Sequence, residues 1–150
     1  MNAPRPKSVA APASMSSADI ALLEIAQELL AGAWVQGRHE VATALRAANG
    51  KVFHGIHLEG SCRRSSICAE GVAMGAARLG LAHGQPLQIE AIVSVQIKPA
   101  EQFRIIAPCG VCRELISDYC PDARIWITTD SGIEEIRAID LLPSKTRRNW

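Results

Sequence analysis

Aromatic residues are scarce in this 150-residue chain: three Trp, two Phe and one Tyr, too few to build the stacking platform on which a nucleic-acid strand lies. An excess of charge of one sign is also missing. Sixteen Lys and Arg against fifteen Asp and Glu leave a formal charge of +1, so no global field draws the chain to nucleic acid or to an anionic membrane. Long apolar runs are lacking too, since Gln, Glu, Gly or Lys interrupts each one well before the ~18 residues a membrane-spanning helix requires. The expected partner is a free small molecule, with no nucleic acid and no membrane. Residues 1–17 contain no acidic residue and no continuous apolar stretch, and are mostly Ala, Pro and Ser with Arg5 and Lys7 among them. They fail as a secretory signal and are read as a disordered arm ahead of one domain over residues 18–150. Without an export signal the five cysteines are expected in a reducing, cytoplasmic compartment, where metal binding or catalysis is a better expectation than disulfides.

Hydrophobic residues make up 48% of the chain, enough for a single core at this length. Ser16 and Ser17 can cap a helix from Ala18 to Trp34, with Ile20, Leu23, Gln27, Leu30 and Trp34 on one stripe. A β-leaning segment, 39–48, a type I′ signal at Asn49-Gly50 and the alternating run 52–58 predict a hairpin. An Ala-rich helix over 66–81 leads into a β-branched strand over 87–98, stopped by Pro99. Pro108 opens a helix over 110–119, and strands follow at 123–129 and 133–139. The order α-β-β-α-β-α-β-β predicts a mixed five-stranded sheet with helices on both faces.

Two short segments, each placed where a helix should begin, carry the chemistry: Cys68-Ala69-Glu70 and Pro108-Cys109-Gly110-Val111-Cys112. A two-residue gap lets the thiolates of Cys109 and Cys112 reach one tetrahedral zinc from a single helical turn. Cys68 adds a third ligand, and one position stays open for a water whose pKa zinc lowers to about 7. Three thiolates overcompensate the charge of a dication, so the positive helix ends, together with Arg113 beside the last ligand, are read as electrostatic support. Glu70, two residues beyond Cys68, is the candidate for moving protons. Other readings of the same residues are packing cysteines, a closed structural zinc with His54 or His57 as fourth ligand, and a first-turn acid that only favours the helix dipole. Cys62 and Cys120 lack the spacing of the other three and are read as structural thiols.

Cys-Ala-Glu followed by Pro-Cys-Gly-X-Cys-Arg resembles the cytidine deaminase family, whose zinc site is of this type. The resemblance runs over residues 18–143, through the Asn49-Gly50 hairpin and both motif helices to Leu141-Leu142-Pro143. It implies a three-layer α/β/α sandwich, a zinc cofactor, a role in pyrimidine salvage and a homotetramer (or a dimer) whose neighbouring subunits complete each site. It also implies hydrolytic conversion of cytidine or deoxycytidine to uridine or deoxyuridine with release of ammonia. Where nucleoside deaminases carry an Asn and a Glu that hold the ribose, this chain has His57 and Glu59, the expected substrate-binding residues. Arg63 stands where an aromatic is usual, Gly71 replaces an Arg, Ala107 replaces a Ser, and the tail lacks the usual Phe, with Trp150 a distant substitute. These departures motivate an alternative substrate, namely a modified nucleoside, a free base or a blasticidin-like aminopyrimidine. A non-catalytic zinc-stabilised binding module is the rival from another class.

Overall fold

A computed structural model describes residues 5–97 and 101–148, without the Arg63 side chain. Lys98 and Pro99, expected to end a strand, and Trp150 lie outside the described residues. Helix α1, Ser17–Ala33, starts where the Ser16 hydroxyl accepts the Asp19 amide hydrogen at 3.2 Å, the satisfied end that an N-cap provides. Its inner face buries Leu22, Leu23, Ala26, Gln27 and Leu30. Ile20 and Trp34, at the edges of the expected stripe, are only partly buried. Each of the three fully buried leucines is worth about 1.5–3 kcal/mol of transfer free energy, so packing on the sheet, more than propensity, holds this helix.

Strands β1, Val41–Ala47, and β2, Val52–Ile56, form the expected antiparallel hairpin. Its turn is not type I′. That turn needs positive φ at both central residues, whereas Asn49 is not among the described residues with positive φ and Gly50 is, at 84°. The Gly50 amide donates to Ala47 O at 2.9 Å and Asn49 Oδ1 accepts from the Lys51 amide at 3.0 Å. This is a longer loop with a left-handed glycine closing it.

Helix α2, Ala69–Gly80, begins later than residue 66 because Leu58 and Ile67 exchange backbone hydrogen bonds and residues Arg63–Ser65 form a 3-10 turn. Strand β3, Ile89–Ile97, is followed by a short strand the sequence pattern did not reveal, β4, Phe103–Ile105. Three residues are too few for an alternation signal. Helix α3, Gly110–Tyr119, then leads to β5, Arg124–Thr129, and β6, Gly132–Arg137. The five expected strands are therefore joined by a sixth. The sheet runs β2-β1-β3-β5-β6, with β4 also paired to β3; β3 and β5 are parallel and the other pairs antiparallel.

Two apolar clusters make the three layers. On one face α1 meets Ala42, Ala44, Val93, Val95 and Trp126. On the other, Ala73, Met74 and Ala77 of α2 and Ile116 of α3 meet Leu45, Ile92, Ile125 and Ile127. Strands β1 and β3 are covered on both faces, which is why they read as nearly continuous apolar runs. Gly55 sets how closely α2 lies on β2: a Cβ there would come within 2.4 Å of Ala69 O and 2.5 Å of Ala73 N. The first turn of α2 is thereby pressed onto the sheet.

The segment read as a disordered arm is laid against the domain from residue 5 onward. Met15 is buried, Val9 packs on the α1 cluster and donates its amide to Gln27 Oε1 at 2.8 Å, and Lys7 pairs with Gln102. Two apolar side chains and a buried amide on α1 give this Ala/Pro-rich stretch something to bind. Among the described residues no helix is long and apolar enough to cross a membrane.

Candidate active site

Cys68 is the N-cap of α2 and Cys109 the N-cap of α3, so both sulfurs sit at the positive ends of helices, and Cys112 follows on the first turn of α3. The fold brings the two segments together. The sulfurs of Cys68, Cys109 and Cys112 all lie within 4.8 Å of one another, and those of Cys68 and Cys109 are 3.4 Å apart. Three thiolates on one tetrahedral zinc would be about 3.8 Å apart, given Zn–S bonds of about 2.3 Å. Among the described residues no histidine or carboxylate joins this group. His54 instead lines a separate cavity beside α1, and His57 faces Glu59, so neither completes a closed four-ligand site.

The thiols also need a cation to ionise together. Burial pushes Cys68 up to about 11, helped by its neighbour Cys109. Burial, the Glu70 carboxylate and the other two sulfurs push Cys112 up further. Cys109 moves the other way: burial raises it, but backbone amides of Cys112 and Val111 at the α3 N-terminus outweigh that and lower it, as expected for a thiol at a helix start. A dication placed among the sulfurs would offset both the burial and the mutual repulsion that push Cys68 and Cys112 up. The donor set, three soft thiolates with no oxygen ligand, suits zinc.

Glu70 is buried on the first turn of α2, with Oε2 3.5 Å from Cys112 Sγ and Oε1 accepting from the Ser94 hydroxyl at 3.1 Å. A cavity of about 250 Å³ opens onto it, lined by His57, Cys68, Glu70 and Cys109, by Glu40 just before β1 and by Gln96 of β3. A larger cavity, of about 910 Å³ between the N-terminal segment and α1, contains none of the cysteines and not Glu70. Chemistry, not size, identifies the smaller one. His57 Nε2 lies 3.3 Å from Glu59 Oε2, and the Ser66 hydroxyl donates to Glu59 Oε1 at 2.5 Å. That hydrogen bond, with His57 nearby, holds the Glu59 carboxyl below its usual range. His57 Nδ1 is buried without a partner among the described residues. Glu59 itself stands behind His57 and does not line the cavity.

Arg113 does not face the sulfurs directly through a salt bridge. Its Nε donates to Pro108 O at 2.9 Å and its terminal nitrogen to Leu141 O at 3.1 Å, tying the residue before Cys109 to the 3-10 turn Ala138–Leu141. Cys120 is buried with its sulfur donating to Leu87 O at 3.1 Å, and Cys62 is exposed and outside the sulfur group.

No family model matches the chain. It is 32% identical over 140 residues to a blasticidin-S deaminase from Bacillus cereus, covering 91% of this chain and 97% of that protein. It is 30% identical over 125 residues to a cytidine deaminase from Halalkalibacterium halodurans, covering 81% of this chain and 89% of that protein. The chain belongs to the cytidine deaminase family. The deaminase fold is matched by the crystal structure of cytidine deaminase from Burkholderia pseudomallei, with a TM-score of 0.69, 29% identity and coverage of 85% of this chain and 98% of that one. The protein is thus a hydrolytic deaminase.

Sequence reasoning did not find four residues that shape this deaminase site: Thr43, Ser94, Glu40 and Gln96. For the first two a signal existed, a hydroxyl at an inward position of a central strand in Ala-Thr-Ala and Val-Ser-Val. Glu40 and Gln96 reach the site only through strand pairing near Val41↔Gln96, which no local pattern reports.

Proposed function

We propose that the protein is a zinc-dependent deaminase that converts cytidine or deoxycytidine to uridine or deoxyuridine. The observation that supports this most is a buried carboxylate, Glu70, 3.5 Å from Cys112 at the floor of a small cavity shared with Cys68 and Cys109. Cys68, Cys109 and Cys112 would hold the zinc, which when bound makes a nearby water acidic enough to serve as a nucleophile at neutral pH. Glu70 takes a proton from that water, gives it to the ring nitrogen next to the reacting carbon, and passes a second proton to the departing amine. Water adds at the carbon, the C–N bond breaks, ammonia leaves and a carbonyl remains. His57 lines the cavity with a buried Nδ1 that lacks a partner, and a sugar hydroxyl or a ring substituent would satisfy it. Glu59 fixes the other nitrogen of that imidazole. Arg113 supports the metal loop through Pro108 O.

A second substrate reading is favoured by one observation: the relative named blasticidin-S deaminase matches over 91% of the chain. On that reading the ring is still a 4-aminopyrimidine, carried by a larger blasticidin-like molecule. Five free cysteines fit a cytoplasmic setting, and we extend the proposal to pyrimidine salvage and to a homotetramer.

Ammonia release by zinc-loaded protein from cytidine, deoxycytidine and blasticidin S, each beside a Glu70→Ala control matched for zinc, tests both readings. Turnover of cytidine by the wild type alone supports the main one. Turnover of blasticidin S with none of either nucleoside transfers the site to the second, and zinc-replete protein inert toward all three overturns both.

A further inference from the structure

The groups that fix Glu70 from behind come from strands that carry none of the sulfur ligands. Ser94, in the middle of β3, holds its hydroxyl 3.1 Å from Glu70 Oε1. Thr43, its direct partner across the ladder on β1, holds its hydroxyl 2.7 Å from that of Ser94. Both are buried, at 0% and 2% exposure for Thr43 and Ser94. An ionised carboxylate only accepts hydrogen bonds, and a serine has one hydrogen to donate. Ser94 therefore donates to Oε1 and receives from Thr43, which gives the chain one direction. Oε2 is left on the side of the sulfur cluster, 3.5 Å from Cys112 Sγ.

We propose that Thr43 and Ser94 are positioning residues for the deamination: their two-hydroxyl chain clamps Oε1 and thereby aims Oε2 at the reacting water and ring. The proposal rests on Glu70 being the proton carrier. A plain cross-strand bond that ties β1 to β3 is the competing explanation. The ladder between those strands already has seven paired positions, from Val41↔Gln96 to Ala47↔Ile89, so register does not depend on two hydroxyls. Val41 and Leu45 beside Thr43 and Ile92 beside Ser94 are aliphatic, with the cavity-lining Gln96 the polar exception, and hydroxyls buried there must recover a desolvation cost through hydrogen bonds. The carboxylate is what makes them worthwhile, because without Ser94 its Oε1 would be a buried charged acceptor with no donor.

Ser94→Ala, Thr43→Val, Thr43→Ser, the Ser94→Ala/Thr43→Val double variant and Glu70→Ala are compared for zinc content, Tm, kcat and KM on whichever aminopyrimidine the wild type turns over fastest. Ser94→Ala is expected to lower kcat about 10–100-fold, the usual loss when a group behind a reacting residue is removed, with zinc content full and KM within about twofold. Thr43→Val should give a smaller loss of the same kind, Thr43→Ser should restore kcat, and the double variant should be no worse than Ser94→Ala alone. Should Ser94→Ala fail to fold, the Thr43 pair carries the test. Wild-type kcat in Ser94→Ala, equal impairment of Thr43→Ser and Thr43→Val, or losses that follow zinc content would overturn the proposal. Glu70→Ala separates the two levels: if it keeps turnover, the proton-carrier reading itself fails, whereas a dead Glu70→Ala beside a fully active Ser94→Ala removes only the hydroxyl chain.

Discussion

Asp19 and Glu70 are carboxylates buried to 0% and 4% exposure in the same domain, and their surroundings are opposite. Asp19, on the first turn of α1, accepts from Arg46 at 2.6 Å, from Arg124 at 2.8 Å and from the Trp126 indole at 3.1 Å. Burial pushes its carboxyl up, but hydrogen bonds from Arg124, Arg46 and Trp126 outweigh that and hold it below the usual range. Glu70 has one hydroxyl on one oxygen and a cysteine sulfur beside the other. A carboxylate whose lone pairs are all taken by cations and N–H groups is a structural tie; one with lone pairs to spare beside the cysteine cluster suits the proton transfer proposed above. The first staples α1 to strands β1 and β5, and the second faces the cavity.

That contrast breaks most sharply at Glu70 itself. Glu70→Gln should lower kcat about 10²–10⁴-fold, the usual contribution of general acid–base catalysis, while leaving the denaturant midpoint of unfolding nearly unchanged. Asp19→Ala should do the reverse. Removing one member of a buried ion pair typically costs about 3–5 kcal/mol, and here the lower end is expected because Arg46 and Arg124 keep Glu90 and Glu135; kcat of the folded fraction should hold. Urea titration and steady-state assays on both variants would show whether stability and activity separate in this way.

A smaller effect sharpens the geometric side. Gly55→Ala puts a methyl where Ala69 O and Ala73 N already lie, so about 1–3 kcal/mol of overpacking strain should be relieved by lifting α2, lowering both Tm and zinc occupancy. Smallest is the pH dependence contributed by Asp19. Its folded pKa lies below the unfolded value, so its stabilisation is complete above the ordinary Asp range of about 3.9 and is lost as pH falls through the depressed folded value. Asp19→Asn should flatten the acid limb of a stability–pH curve in that window and leave neutral pH to neutral-alkaline behaviour unchanged in slope.

The sulfur site was legible in the sequence because its ligands sit at helix starts with fixed short spacing, and one contact between two motif helices suffices to assemble it. The order of helices and strands was legible for the same local reason. What stayed hidden depends on pairing between distant segments. Thr43 and Ser94 meet across a ladder, Asp19 meets Arg124 from the far end of the chain, and β4 exists only because β3 offers it an edge beyond the stretch paired with β5. The hairpin turn was misassigned because Asn-Gly reports a glycine suited to positive φ but not how many residues the loop contains. The N-terminal segment read as disordered by composition, although Val9 and Met15 find apolar surface on the folded domain.

The measurement that bears most directly on the account is X-ray absorption at the zinc edge of the purified protein in solution. Three sulfur scatterers at about 2.3 Å with a single light atom from solvent completing the shell are expected from Cys68, Cys109 and Cys112 with the fourth position facing the cavity. A fourth sulfur, or the multiple scattering of a coordinated imidazole, would mean a closed structural site and would contradict the placement of catalysis there.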